Sequence, residues 1–211
     1  MKKAVIIDYE SGNLHSTQKS FEKIGKETGH IVSVSSNPKD LDDADHIILP
    51  GVGAFADCMT GLKAIEGMIE SLSSNVIDNR KPFLGICVGM QLLAKQGLEH
   101  GTHNGLGWID ATVMPIPNSD DKLKIPHMGW NNLKVIGDST LVENLDESSH
   151  AYFVHSYYMD VNEDNVVVAT TDYGNDITAI VSKGNIHGTQ FHPEKSQETG
   201  FAIIKNFLNT E

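Results

Sequence analysis

Apolar residues in the first half of the chain fall into short continuous runs divided by longer amphipathic stretches. Ala4-Val5-Ile6-Ile7 stops abruptly at Asp8, the pattern of a strand buried on both faces. Over residues 14–24 the spacing turns helical, with Asn13 placed to cap the start and Gly25 near the end. Residues 31–34 and 47–49 repeat the strand pattern. Leu62, Ile65, Ile69, Leu72 and Ile77 carry helical spacing across residues 62–77. Phe83-Leu84-Gly85-Ile86 is a further buried strand, and a helix is expected from Val88 to Lys95. This alternation predicts an α/β fold with a central, mostly parallel sheet and helices on both faces.

After Gly97 the texture changes. Pro115, Pro117 and Pro126 punctuate the chain, and residues 151–154, 166–170 and 177–181 read as strands with tight turns. The second half is therefore expected to be more antiparallel and added to the same sheet, with residues 200–208 as a closing helix. Neither repeat nor low-complexity linker divides the 211 residues, so one domain over residues 1–211 is expected.

Charge narrows the choice of partner. Sixteen Lys and Arg against 28 Asp and Glu give a net charge of −12, which argues against a binder of the nucleic-acid backbone. The two cysteines, Cys58 and Cys87, stand far apart with no CxxC pair, so both are expected as thiols. Met1-Lys2-Lys3 runs straight into the first strand, and no stretch reaches membrane-span length, which points to the cytoplasm. No histidine pair has metal-ligand spacing on one helix, and no phosphate loop is present, so neither metal nor cofactor is expected.

The chemistry centres on Gly85-Ile86-Cys87-Val88-Gly89. A Gly-x-Cys-x-Gly run between a strand and a helix forces its middle residue through a sharp turn, and the glycines make room where side chains would clash. The free N–H groups and dipole of the following helix favour thiolate at Cys87. Cys58 has no such setting and reads as packing. A thiol nucleophile needs a base held by a third group. In Gln190-Phe191-His192-Pro193-Glu194, residues two apart in extended chain share one side, so Glu194 can hold the His192 ring. His127, His155 and His187 compete as bases but lack a carboxylate at that spacing. Pro50-Gly51-Val52-Gly53 follows another strand, and its glycine turn can offer backbone N–H groups to an oxyanion, with the N–H of Val88 as second donor.

These blocks, with Met90 and Gln91 extending the cysteine run, resemble the three signature blocks of class I glutamine amidotransferases, in order and over nearly the whole chain. The resemblance implies that family's three-layer fold and hydrolysis of L-glutamine by a Cys87–His192–Glu194 triad. It implies an oxyanion hole from Gly51, Val52, Gly53 and Val88, and substrate contacts from Gln91, Ser156 and Tyr157. Four further runs are similar to the glutaminase subunits of imidazole glycerol phosphate synthases. They are Asp8-Tyr9-Glu10-Ser11-Gly12-Asn13-Leu14, Pro126-His127-Met128-Gly129-Trp130-Asn131, Tyr152-Phe153-Val154-His155-Ser156-Tyr157, and Lys195-Ser196-Gln197. That likeness implies a heterodimer with a cyclase subunit that receives the ammonia, with Tyr152, Lys195 and Trp130 near the interface. Two rivals stand beside it: a paralogous glutaminase subunit feeding another synthase, such as one that amidates nucleotide sugars, and a non-catalytic member of the fold.

Overall fold

The computed structural model describes residues 1–10, 14–118 and 123–211; Asn13, expected as a helix cap, and the Ser11-Gly12 of the opening run lie outside the described residues. In chain order the elements are β1 (Lys2–Ile7), α1 (Leu14–Thr28), β2 (His30–Ser35), β3 (His46–Gly51), α2 (Phe55–Ala64), α3 (Met68–Leu72), a π-helical turn (Ser73–Asp78), β4 (Phe83–Cys87) and α4 (Val88–Gln91). There follow β5 (Ala94–Gly97), β6 (His103–Asn104), β7 (Ile109–Pro115), β8 (His127–Asn132), β9 (Lys134–Val135), β10 (His150–His155), β11 (Tyr157–Val161), β12 (Val167–Asp172), β13 (Asp176–Lys183), β14 (Ile186–Thr189) and α5 (Gln197–Leu208).

The main sheet runs β2-β1-β3-β4-β14-β13-β12-β9. The first five strands pair in parallel and the last three antiparallel. The β1–α1–β2 crossover moves one way along the sheet and β3–α2–α3–β4 the other. Both being right-handed, their helices must cover opposite faces. On the α1 face, Phe21 meets Phe207 of α5 edge-on at 6.5 Å. The reversal of direction leaves the carboxyl ends of β3, β4 and β14 side by side, where open α/β sheets hold ligands. Gly51 pairs with Cys87 and Ile86 with Thr189, so the three candidate motifs leave the sheet together.

Four expectations about elements need correction. Gly25 lies inside α1, which runs to Thr28; a side chain at Gly25 would press on His30 and Val32 of β2, so the glycine serves close packing. Residues 62–77 are not one helix. Gly67 takes a left-handed φ of 80° and breaks the run between α2 and α3. Helix α4 is a single turn, because the carbonyls of Leu92, Leu93 and Ala94 accept N–H groups from residues 106–109 and the chain becomes β5. The antiparallel half joins the main sheet only in part; β10-β8 and β11-β7-β5-β6 form two smaller sheets. Among the described residues no helix is long and apolar enough to cross a membrane.

Four buried histidines shape the fold's response to acid. Burial pushes His46, His127, His155 and His187 each down to about 4. The unfolded chain binds these protons near pH 6.5 and the folded one does not. Their contribution to stability is therefore whole above pH 6.5 and falls as pH drops toward 4, on the order of 1 kcal/mol per histidine per pH unit. A calorimetric melting temperature well below its neutral value at pH 5 is the expected result.

Candidate active site

Cys87 closes β4 with φ 54° and ψ −112°, a left-handed-side conformation that costs a non-glycine residue energy. What holds it there is backbone packing on both sides of the turn. A Cβ at Gly85 would collide with the backbone of Gly89 and Met90, and one at Gly89 would overlap the Leu49 carbonyl oxygen. A Cβ at Gly51 would in turn strike Gly89 N and the Tyr9 hydroxyl. Only hydrogen fits at the three positions, so β3 and the turn lie in backbone contact. The expected helix dipole is reduced to the first N–H groups of one turn, since α4 has four residues.

The structure brings Cys87, His192 and Glu194 together. His192 is 3% exposed, and its Nδ1 lies 2.8 Å from Glu194 Oε1. Burial disfavours the charged ring, but the hydrogen bonds to Cys87 and Glu194 outweigh it and push His192 up to about 10. Among the described residues, Glu194 Oε2 is buried with no hydrogen-bond partner, so the carboxylate's charge is turned to the ring. The segment is clamped by Ser196. Its hydroxyl donates to the His192 carbonyl at 2.7 Å and accepts the Tyr152 N–H at 3.0 Å, while His192 N–H donates to the Tyr152 carbonyl at 3.2 Å.

A cavity of about 250 Å³ opens over the sulfur. Val52, Gly53, Val88, Gln91, Ser156 and Tyr157 line it beside Cys87 and His192, whereas Gly51 stands behind it in β3. The turn at residues 50–53 is tied from the rear: Tyr9 Oη donates to the Pro50 carbonyl at 2.7 Å, and Cys58 Sγ donates to the Val52 carbonyl at 3.6 Å. Cys58 thus packs and also anchors that turn. Burial pushes its thiol up to about 11, which keeps it inert.

Four lining residues, Glu99, Pro126, Val154 and His155, were not assigned to the site from sequence. Among the described residues Glu99 is the one acid in the wall, and Oε2 accepts the Phe55 N–H at 2.8 Å, capping α2 from a distant loop. Pro126 and His155 also line the cavity. The nearest signal was the Pro126 and His155 runs themselves; nothing local marks Glu99. Of the competing bases, His187 bonds Ser182 Oγ through Nδ1 at 3.0 Å, and His127 pairs with His155 at 3.0 Å. Among the described residues none of these rings has a carboxylate partner. Among the described residues no group of three or more His, Cys, Asp and Glu is placed to hold a metal.

Tyr152, Trp130 and Lys195 gather on one face. Tyr152 and Trp130 are cross-strand neighbours with rings 6.1 Å apart, and Lys195 Nζ sits 6.0 Å from the tyrosine ring. Trp130 is 45% exposed and Met128 beside it 62%. Ile125, also exposed, adjoins Pro126 of the cavity wall, so this apolar face borders the cavity mouth.

Comparison with known proteins bears on the family and the fold. The family profile described as Glutamine amidotransferase class-I matches residues 5–210. The chain is 49% identical over 205 residues to "Imidazole glycerol phosphate synthase subunit HisH" of Cereibacter sphaeroides, covering 97% of both chains. To the protein of that name from Bradyrhizobium diazoefficiens it is 50% identical over 208 residues, covering 96% of each. A crystal structure titled glutamine amidotransferase superposes with TM-score 0.72 at 19% identity, over 98% of this chain and 99% of that one. The PurLQS structure from Thermotoga maritima gives 0.71 at 21%, over 99% and 98%. At such identities the two structures speak for the fold.

Gly89→Ala tests the turn. The added methyl has only β3 backbone to displace, so a loss of more than about 3 kcal/mol or failure to fold is expected. An unchanged melting temperature would show that β3 and the turn separate easily.

Proposed function

The chain belongs to the class I glutamine amidotransferase family, and within it we infer the glutaminase subunit of an imidazole glycerol phosphate synthase, which hydrolyses L-glutamine and passes the ammonia to a cyclase subunit in histidine biosynthesis. The observation that carries the reading is a strained, glycine-wedged Cys87 in hydrogen-bond contact with a His192 whose Nδ1 lies 2.8 Å from Glu194 Oε1. The full-length likeness to the named synthase subunits supports the destination of the ammonia.

In the proposed reaction the Cys87 thiolate attacks the side-chain amide carbon of glutamine. Charge that develops on the amide oxygen meets the Val88 N–H and the backbone of Val52 and Gly53, with the expected Gly51 standing behind them. His192, charged beforehand, gives its proton to the leaving nitrogen, and the C–N bond breaks to ammonia and a thioester. Water then attacks the thioester with His192 as base, releasing glutamate and restoring the ion pair. Ser156, Tyr157 and Gln91 line the substrate's path, and Glu99, a carboxylate in the wall, receives its α-ammonium.

Free ammonia is largely protonated at neutral pH, and ammonium has no lone pair with which to attack. A partner seated over the cavity mouth removes that loss. The exposed Met128, Trp130 and Ile125, with Tyr152 and Lys195 beside them, have the aromatic and apolar character of such a seat. The complex is a cytoplasmic heterodimer in this reading, and the chain acts as one domain.

Glutamate release should be followed after mixing the chain with an imidazole glycerol phosphate synthase cyclase subunit and its ribonucleotide substrate. Strong stimulation, absent in a folded Cys87→Ala variant, is expected. Hydrolysis indifferent to the cyclase would point to another synthase, and none at all to a non-catalytic member. Glu99→Gln should raise the KM for glutamine about tenfold while leaving kcat within about twofold; an unchanged KM would remove Glu99 from the substrate site.

A further inference from the structure

Two buried histidines, His127 and His155, take no part in the hydrolysis described above. His127 lies between Tyr173 and Phe153, with ring centroids 3.9 and 4.8 Å away and planes 21° and 17° apart. Its Nδ1 is 3.0 Å from Nε2 of His155, whose side chain reaches the cavity wall. Two imidazoles in such contact must settle which one donates, and their outer partners decide it.

We propose that two hydrogen-bonded arms meet at the Tyr157 carbonyl, one from Asn131 through His127 and His155 and one from Gln91, and that by holding this carbonyl and Gln91 in place they fix Gln190 as the positioning residue that holds the Cys87 sulfur for attack. The proposal rests on Cys87 as the glutaminase nucleophile. Within each arm the partners decide which atom donates. Asn131 Oδ1 accepts the Asn132 N–H at 2.9 Å, so Nδ2 is its donor. That nitrogen donates to the Asp172 carbonyl at 2.8 Å and to His127 Nε2 at 3.3 Å. With Nε2 accepting, His127 carries its proton on Nδ1 and donates it to His155. His155 then keeps its own proton on Nδ1 and donates to the Tyr157 carbonyl at 2.9 Å.

The same carbonyl accepts Gln91 Nε2 at 3.0 Å, which fixes that amide. Its other N–H donates to Gln190 Oε1 at 3.0 Å. Gln190 can therefore present only its amide nitrogen to Cys87 Sγ, 3.9 Å away. A donor held at sulfur favours thiolate over thiol and fixes the direction of its lone pairs. Gln190 is fully buried, so no water competes for that place. Burial also favours the neutral form of both rings, as the arm from Asn131 to the Tyr157 carbonyl requires.

The histidine tautomers test this directly in the unaltered protein. Long-range proton–nitrogen correlation spectra of the ¹⁵N-histidine chain at pH 7 should show both His127 and His155 with the proton on Nδ1. A proton on Nε2, or an imidazolium, at either ring would overturn the network. Because the spectra need no glutamine, a failure here is distinct from a failure of the glutaminase reading. Gln190→Met tests the sulfur end. It should lower kcat and slow iodoacetamide alkylation of Cys87 at pH 7 by roughly tenfold each, with KM within about twofold. Unchanged alkylation in the folded variant would refute a role for Gln190. His127→Phe should slow alkylation in the wild-type background and add nothing to Gln190→Met; additive losses would refute the connection between the two ends.

Discussion

Everything at the carboxyl edge of the sheet depends on one close approach, that of Gly89 to the backbone of β3. The Leu49 carbonyl occupies the space a side chain at position 89 would need, and Gly51 of the same strand faces Gly89 N. That contact leaves the chain after Cys87 no course but the sharp turn, and the turn sets the sulfur at φ 54°. Strand register does the rest. Cys87 pairs with Gly51, and Ile86 with Thr189, so the glycine turn on one side and the Gln190–Glu194 segment on the other arrive at fixed offsets from the sulfur. No loop has to search for its place. The strain is local, and the surrounding parallel sheet holds it.

Histidine shows how strongly surroundings decide chemistry in this chain. His192 and His155 are both buried, and both border the same cavity. His192 meets a carboxylate and a thiol, and these outweigh its desolvation. His155 meets a backbone carbonyl and another imidazole, and desolvation prevails. One ring is equipped to give up a proton to a leaving group; the other can only pass on the orientation of its neighbours.

Much of the site could be read in the sequence because steric demands there have few solutions. A nucleophile on a backbone turn needs glycines at Gly85 and Gly89, and a local His192–Glu194 pair shows its spacing openly. The fold class was legible for a similar reason, since buried parallel strands write themselves as unbroken apolar runs. Element boundaries were less so. Leu92 and Leu93 continue an apolar pattern that suits a helix, yet their carbonyls are taken by Leu106, Trp108 and Ile109, a tertiary choice with no local mark. The break at Gly67 rests on a left-handed φ that composition alone does not announce. Glu99 was invisible because its partner, the N–H of Phe55, lies 44 positions away. The His127–His155 contact spans 28 positions and was equally hidden.

Strand β8 has two faces with separate duties. His127 and Asn131 turn inward, while Met128 and Trp130 turn outward. Alternation of this kind uncouples their histories under mutation. Outward positions can be rewritten for a differently shaped surface, residue by residue, while the inward ones keep their partners. An insertion or deletion of one residue has the opposite effect, exchanging both sets at once. Substitution is thus the open route by which a nitrogen-releasing module of this architecture could be matched to a new recipient, and length change in β8 is the closed one.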